Sequence, residues 1–273
     1  MTDDAKVLPA AAYTARADGA YLSSALTRGP WHPEHQHAGP PIALACRAIE
    51  RAAAEQGLGH LSRLTANLLR PVPIGELSVE VAADYVGRNA GHYSARVMAQ
   101  GKEVARFTAL AQRENELPLP QGLPGHPLPT AVRQAADSPP GVLPFAGAHV
   151  GYADLVETRV AQGALFDGPC AIWFRMNRPL LEGEPPSAYQ RVAVAADSGN
   201  GISAILDFTR YSFVNSDLTI NLLRRPQGEW ICLDARTHFA QNGCGLAEST
   251  LYDQQGLIGR ATQSLSVRAR DSA

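Results

Sequence analysis

The sequence predicts an α+β protein made of two tandem copies of one unit, each a curved antiparallel sheet wrapped around a central helix. Three observations carry that prediction. LTANLLRP at 64–71 returns almost unchanged as LTINLLRR at 218–225, 154 positions later. Each copy opens a run of strand-like segments broken at glycine-bearing turns, and an alanine-rich helical segment precedes each run. Between the copies, residues 115–145 hold eight of the chain's 20 prolines, a density that no helix or central strand tolerates. The expected division is therefore 1–114, a proline-rich linker over 115–144, and 145–273.

The elements follow in order. Short strand-like stretches lie near Tyr13 to Leu26 and, in the second half, near Leu155 to Met176. GPPIALACRAIERAAAEQG at 39–57 has proline at its start, apolar residues through Ile42, Leu44, Ala45, Ala48, Ile49 and Ala52, and a glycine stop, which is helix punctuation. SAYQRVAVAADSGNGISAIL at 187–206 is equally rich in alanine but is interrupted at Gly199 and Gly201. Small side chains suit a helix that a curved sheet holds closely. After each LT-N-LLR the chain reads strand, turn, strand, turn at Gly101 or Gly256, strand. Alternation in Leu77, Val79 and Val81, and in Trp230 and Cys232, predicts one buried face per sheet. Two units of this kind amount to a fused dimer, its halves paired sheet to sheet.

Composition excludes several classes of function. The formal charge is −2 with scattered basic residues, so no footprint for nucleic acid or an anionic membrane is present. MTDDAKVLPA has no apolar run and nothing later reaches the roughly 18 apolar residues of a membrane span. A cytoplasmic protein is expected, and the Lys-poor, Ala-, Arg- and Gly-rich composition is of the kind that GC-rich bacterial genomes encode. Cys46, Cys170, Cys232 and Cys244 include no C-x-x-C pair and are expected to be buried small hydrophobes. No G-x-G-x-x-G follows a strand and no G-x-S-x-G elbow occurs, so dinucleotide binding and the α/β-hydrolase route lack their motifs.

With the repeat in place, HAGPPIALACRAIERA at 37–52, NSDLTINLLR at 215–224 and GLAESTLYDQQGLIGRATQSLSVR at 245–268 resemble the double hotdog acyl-CoA thioesterases related to acyl-CoA thioesterase II. The resemblance implies a double hotdog fold, acyl-CoA as a small-molecule substrate and no cofactor. It also implies an Asp, a Thr and a Gln of the second hotdog that hold one water against the thioester carbonyl. The Asp falls on Asp197 and the Gln on Gln263. The Thr position, two residues before Asp217, is Asn215, a departure from the family pattern that leaves Ser216 and Thr219 as nearby hydroxyls. Fused hotdogs often pair again through a sheet edge or face, so assembly into a homo-oligomer stays open.

The chemistry needs those residue types. A thioester carbonyl is already electrophilic, so hydrolysis requires a placed water, a proton acceptor and stabilisation of the oxyanion, and no metal. A carboxylate can accept the proton or align the water. Amide side chains donate and accept together, which fixes a water's orientation as well as its position. Backbone N–H groups beside Gly199 and Gly201 are the expected oxyanion donors. Each residue also has a plain structural role open to it: Asp197 as a helix cap, Gln263 as an exposed strand residue, Asn215 as a turn residue.

The repeat tests whether both halves carry the site. Gln263 aligns with Thr108, Asn215 with Leu61, and Asp197 with about His37 when Gly199 is matched to Gly39, so one active site per chain is expected. WHPEHQH at 31–37 offers His32, Glu34, His35 and His37, yet Pro33 forbids the helical spacing of a zinc pair. This loop is expected to line the acyl-CoA entrance. Arg210, Arg224 and Arg225 are open to phosphate contact or to plain solvation. Two alternatives stand beside the thioesterase: an acyl-thioester binding protein without turnover, and an enoyl-CoA hydratase, which wants a His a few residues after its Asp where none follows Asp197 before His238.

Overall fold

The computed structural model describes residues 7–143, 145–147 and 149–270. The first half contains β1 (Tyr13–Ala15), β2 (Tyr21–Ser23), α1 (Gly39–Ala54), β3 (His60–Leu68), β4 (Glu76–Val86), β5 (Ala90–Ala99) and β6 (Lys102–Gln112). A connecting segment carries the two-residue edge strand β7 (Pro140–Gly141). The second half runs α2 (Tyr152–Leu155), β8 (Val156–Gln162), β9 (Cys170–Met176), α3 (Ala188–Ala196), α4 (Gly199–Ile202), β10 (Tyr211–Asn215), β11 (Asp217–Leu222), β12 (Ile231–Phe239), β13 (Cys244–Asp253) and β14 (Gly256–Ala269). Among the described residues no helix is long and apolar enough to cross a membrane.

The strands form one 14-stranded sheet in the order β1-β2-β4-β5-β6-β3-β11-β14-β13-β12-β9-β8-β7, with β10 paired to β14. The expected pairing of the halves sheet to sheet is made edge to edge, in one continuous sheet, and the joint is the repeated motif itself. In the antiparallel β3–β11 pair, Thr65 lies opposite Thr219, and Thr219 Oγ1 donates to Thr65 Oγ1 at 3.2 Å. These two threonines are the same position of the repeat, 154 apart. Self-opposed equivalents are the signature of a two-fold axis, so β3 and β11 meet as the two copies of an isologous interface would. No unpaired strand edge is left at the centre of the molecule.

The strand register corrects the alignment drawn from sequence. Thr108 pairs with Thr65 while Thr262 pairs with Thr219, which makes Ala109, and not Thr108, the first-half equivalent of Gln263. In the helices, Ser187 caps α3 and Ala38 precedes α1, an offset of 149. Asp197 is thus equivalent to Ala48, not to His37. Matching the glycines misleads because, at that offset, α3 and α4 together correspond to the unbroken α1, with α4 falling on its last turn, and the extra residues of the second copy lie in the loop between α4 and β10. The first-half counterparts Ala48, Leu61 and Ala109 have no side-chain group that can order a water.

α1 and α3 are the two central helices, and they pack against each other antiparallel: Gly39 at the start of α1 lies against Val194 near the end of α3, while Glu50 Oε2 accepts from Ser187 Oγ at 2.8 Å at the other end. A Cβ on Gly39 would sit 2.6 Å from the Val194 carbonyl oxygen, so only glycine permits this approach. Around the helices the inward-facing Leu77, Ile231, Leu233 and Ala235 join a single apolar core spanning both halves. The architecture is the double hotdog that the resemblance implies.

Trp230 and Cys232 do not mark that inner face. Cys232 is buried in a second, smaller cluster with Val132, Ala135, Ala171 and Trp173, against which Trp230 packs, on the outer side of β9 and β12. The connecting segment supplies the lid of this cluster, and Trp173 Nε1 donates to the Arg133 carbonyl at 2.8 Å. The first-half positions equivalent to Trp230 and Cys232 are Glu76 and Ser78, so the outer face there is polar. Of the cysteines, three are buried as expected, but Cys244 is exposed at the start of β13.

Candidate active site

A cavity of about 630 Å³ opens where the start of α1 meets the end of α3. The loop before α1 contributes Trp31, His35 and His37; the chain after β3 contributes Arg70; and Asp197 and Asn215 come from the second half. Trp31 packs edge-on against Phe213 and tilted on Phe208, closing one wall with aromatic surface. Among the described residues no group of three or more His, Cys, Asp or Glu is placed to hold a metal ion.

Asp197 sits where α3 stops. The residue is 5% exposed, and each of its carboxylate oxygens has a partner. Asn215, the last residue of β10, donates from Nδ2 to Asp197 Oδ1 at 2.9 Å, and His37 Nδ1 lies 2.9 Å from Asp197 Oδ2. The Gly39 N–H lies 3.2 Å from His37 Nδ1 and also reaches the carboxylate. Because Nδ1 must carry the hydrogen in its pair with Oδ2, the carboxylate is the acceptor for Gly39. Burial by itself raises the pKa of this acid, but the His37 ring beside it and the hydrogen bonds from His37, Asn215 and Gly39 outweigh burial and hold it below the usual carboxylate range. The helix α1 adds the positive end of its dipole at the same point.

Gln263 is reached from β14 but takes a different place from the other two. It is 2% exposed and lies behind Asp197, away from the cavity wall. Its Nε2 donates to the Asp197 carbonyl at 3.2 Å, and its Oε1 accepts the Asn200 N–H at 2.9 Å. Gln263 therefore staples the break between α3 and α4. Gly199 fits between this staple and Ser249 Oγ, where a Cβ would come within 2.8 Å of the hydroxyl. The expected oxyanion donors beside Gly199 and Gly201 are not so placed: the Asn200 N–H is spent on Gln263, and neither glycine lines the cavity. Ala38 does line it, and among the described residues its N–H has no acceptor.

The hydroxyls near Asn215 divide as follows. Thr219 belongs to the central seam, and Ser216 lines the cavity without touching Asp197. Asp217 Oδ1 accepts the Ser264 N–H at 2.6 Å and ties β11 to β14. Arg224 is committed to Asp253 through two 2.6 Å contacts, while Arg210 and Arg225 lie over Tyr211 and Tyr189. The arginines of the cavity are Arg70 and Arg268.

His37 is the residue that sequence reasoning left in the entrance loop. Its ring stacks on Tyr152 at 3.7 Å with the planes 4° apart, and the Tyr152 hydroxyl donates to the Val194 carbonyl at 2.8 Å. The signal that could have found it is the repeat: a two-fold relation turns the central helices antiparallel, which sets the start of one against the end of the other.

Comparison with known proteins fits this geometry. The family model described as the acyl-CoA thioesterase N-terminal domain matches residues 27–112, and the one described as the acyl-CoA thioesterase C-terminal domain matches residues 124–267. No curated protein matches the chain in sequence. Among solved structures, a protein of Novosphingobium aromaticivorans assigned to the thioesterases is 22% identical, with a TM-score of 0.70 over 95% of this chain and 99% of that one. A hot dog fold protein of unknown function from Alicyclobacillus acidocaldarius is 17% identical, with a TM-score of 0.70 over 97% of each chain. An acyl-CoA thioesterase II of Mycobacterium marinum is 13% identical, with a TM-score of 0.63 over 96% of each. At these identities the likeness to solved structures is one of fold, while the two matched domains, in tandem and in order, place the chain itself in the acyl-CoA thioesterase family.

Proposed function

We propose that this chain hydrolyses acyl-CoA thioesters to a carboxylic acid and coenzyme A through a water held at Asp197 and Asn215, with Gln263 as their support. The observation that carries the reading is a buried carboxylate, kept ionised by its neighbours, at the wall of a cavity large enough for a ligand, in a chain of this family. Both hydrogens of Asn215 Nδ2 are directed at protein oxygens, Asp197 Oδ1 and the Asp217 carbonyl. Its amide oxygen is left to accept a hydrogen from water, which turns the water's lone pair toward the substrate carbon. The Ala38 N–H is suited to the developing oxyanion. Gln263 acts through Asp197 and Asn200, so it is a positioning residue.

The test is release of free thiol from a panel of acyl-CoAs. Wild type is expected to turn over, and Asp197→Ala to lose about 10²–10⁴-fold in kcat/KM. Saturable binding of acyl-CoA without thiol release would instead favour the binding protein, a reading that the amide in the usual hydroxyl position supports. Turnover that survives the substitution rules out this site.

A further inference from the structure

We infer that His37, supplied by the first half of the chain, is the general base of the site, and that Asp197 orients this histidine instead of taking the proton itself. The inference rests on the thioesterase reading. Four observations support it. First, Asp197 is heavily committed: Oδ1 accepts from Asn215, and Oδ2 pairs with His37 while Gly39 donates to the same carboxylate, so three of its roughly four acceptor sites are taken. An acid held this firmly in its ionised form is a weak proton acceptor. Second, a contact of 2.9 Å between Nδ1 and an ionised Oδ2 requires the hydrogen on Nδ1, which leaves the lone pair of the neutral ring on Nε2. Third, Nε2 has no protein partner among the described residues and is not among the buried atoms lacking one, so it is open to the cavity that His37 lines. Fourth, the ring cannot swing away, because it lies flat on Tyr152 and that tyrosine is anchored to α3.

The step balances without any other group. The water oxygen bonds to the thioester carbon as the carbonyl π pair moves onto oxygen, and one water proton passes to Nε2. The imidazolium so formed is stabilised by the Asp197 charge across Nδ1–H. The oxyanion then re-forms its carbonyl, the C–S bond breaks, and the proton on Nε2 goes to the departing sulfur. A buried carboxylate, an imidazole and an open face are thereby assembled from both halves of one chain, so neither half alone holds the reacting groups. The other titratable and charged groups around the ring are Asp197 and Tyr152 against it and His32, His35, Arg70 and Arg268 along the same cavity.

The test compares kcat/KM against pH for wild type and His37→Ala, on the acyl-CoA that wild type turns over fastest, with and without added imidazole. The expected result is a loss of about 10²–10⁴-fold at neutral pH, disappearance of the acid limb, partial recovery with imidazole and little change in KM. His37→Gln provides a second variant if alanine does not fold. Nitrogen NMR of histidine-labelled protein gives a readout apart from turnover: the His37 ring should carry its hydrogen on Nδ1 in wild type and lose that preference in Asp197→Asn. A folded His37 variant with wild-type kcat/KM and acid limb overturns the role, and so does a wild-type ring protonated on Nε2 alone. A wild type that releases no thiol from any acyl-CoA overturns the thioesterase reading instead, and the ring hydrogen still decides whether the pair is built as inferred.

Discussion

Asp197 couples the site to stability. Its folded pKa lies below the value near 4 of an unfolded aspartate, so its contribution is fully present above about pH 4 and is lost as pH falls through the lower folded value. Denaturation midpoints of wild type and Asp197→Asn should therefore be furthest apart above about pH 4 and converge in more acid solution; a constant separation down to pH 2 would contradict the depressed pKa. Gln263→Ala leaves the Asn200 N–H and the Asp197 carbonyl buried and unpaired, an expected cost of about 1–3 kcal/mol together with a fall in kcat. Calorimetry and kinetics on the same sample check both. The closeness of Asp197 and Asn215 was implied by the family resemblance and not by the residues themselves. The withdrawal of Gln263 behind the helix break and the arrival of His37 were legible in neither, because a residue's direction from a strand or loop depends on register and helix packing that one sequence does not reveal.

At the scale of elements, the alternation of apolar residues was readable but its face was not. Trp230 and Cys232 are apolar because the connecting segment covers them, whereas Ile231 and Leu233, one step out of phase, face the helix. A strand buried on both sides loses its period of two, so periodicity could not say which set pointed inward. The proline count drew attention to the segment between the two repeats yet concealed that part of it is packed. Val132→Asp should place an unpaired charge in the small outer cluster, cost about 1–3 kcal/mol and make residues 115–140 far more sensitive to protease, with the hotdog strands still protected. At the helix contact, Gly39→Ala should push α1 from α3 and destabilise by about 1–3 kcal/mol, and it should lower turnover more than its stability cost explains, because His37 moves with it.

Over the whole molecule, the two-fold pattern was the most legible feature, since a repeat of 154 residues cannot be missed once the two motifs are set side by side. Its consequence for assembly is specific. Separating the proposed units, 1–114 from 145–273, exposes the long edge of β3 and one face of α1. A chain of residues 1–114 alone is expected to associate with itself through β3, Thr65 opposite Thr65, and to be dimeric or insoluble in size-exclusion chromatography. Co-expression of both pieces should recover a one-to-one complex. A stable monomer of the first piece would show that the central seam contributes little.

The paired prolines at the head of α1 bear on how the reaction ends. Pro40 and Pro41 have no amide hydrogen, so the end of the helix that normally gathers anions offers few donors, and Gly39 spends its own on Asp197. The acid released by hydrolysis ionises in water and would find at this end an established negative charge in place of a ring of free N–H groups. On the proposed activity, departure of the carboxylate is thereby favoured, and the free carboxylic acid is expected to inhibit only at concentrations well above the KM for its thioester. Pro40→Ala, by returning one amide hydrogen to that spot, should strengthen the inhibition.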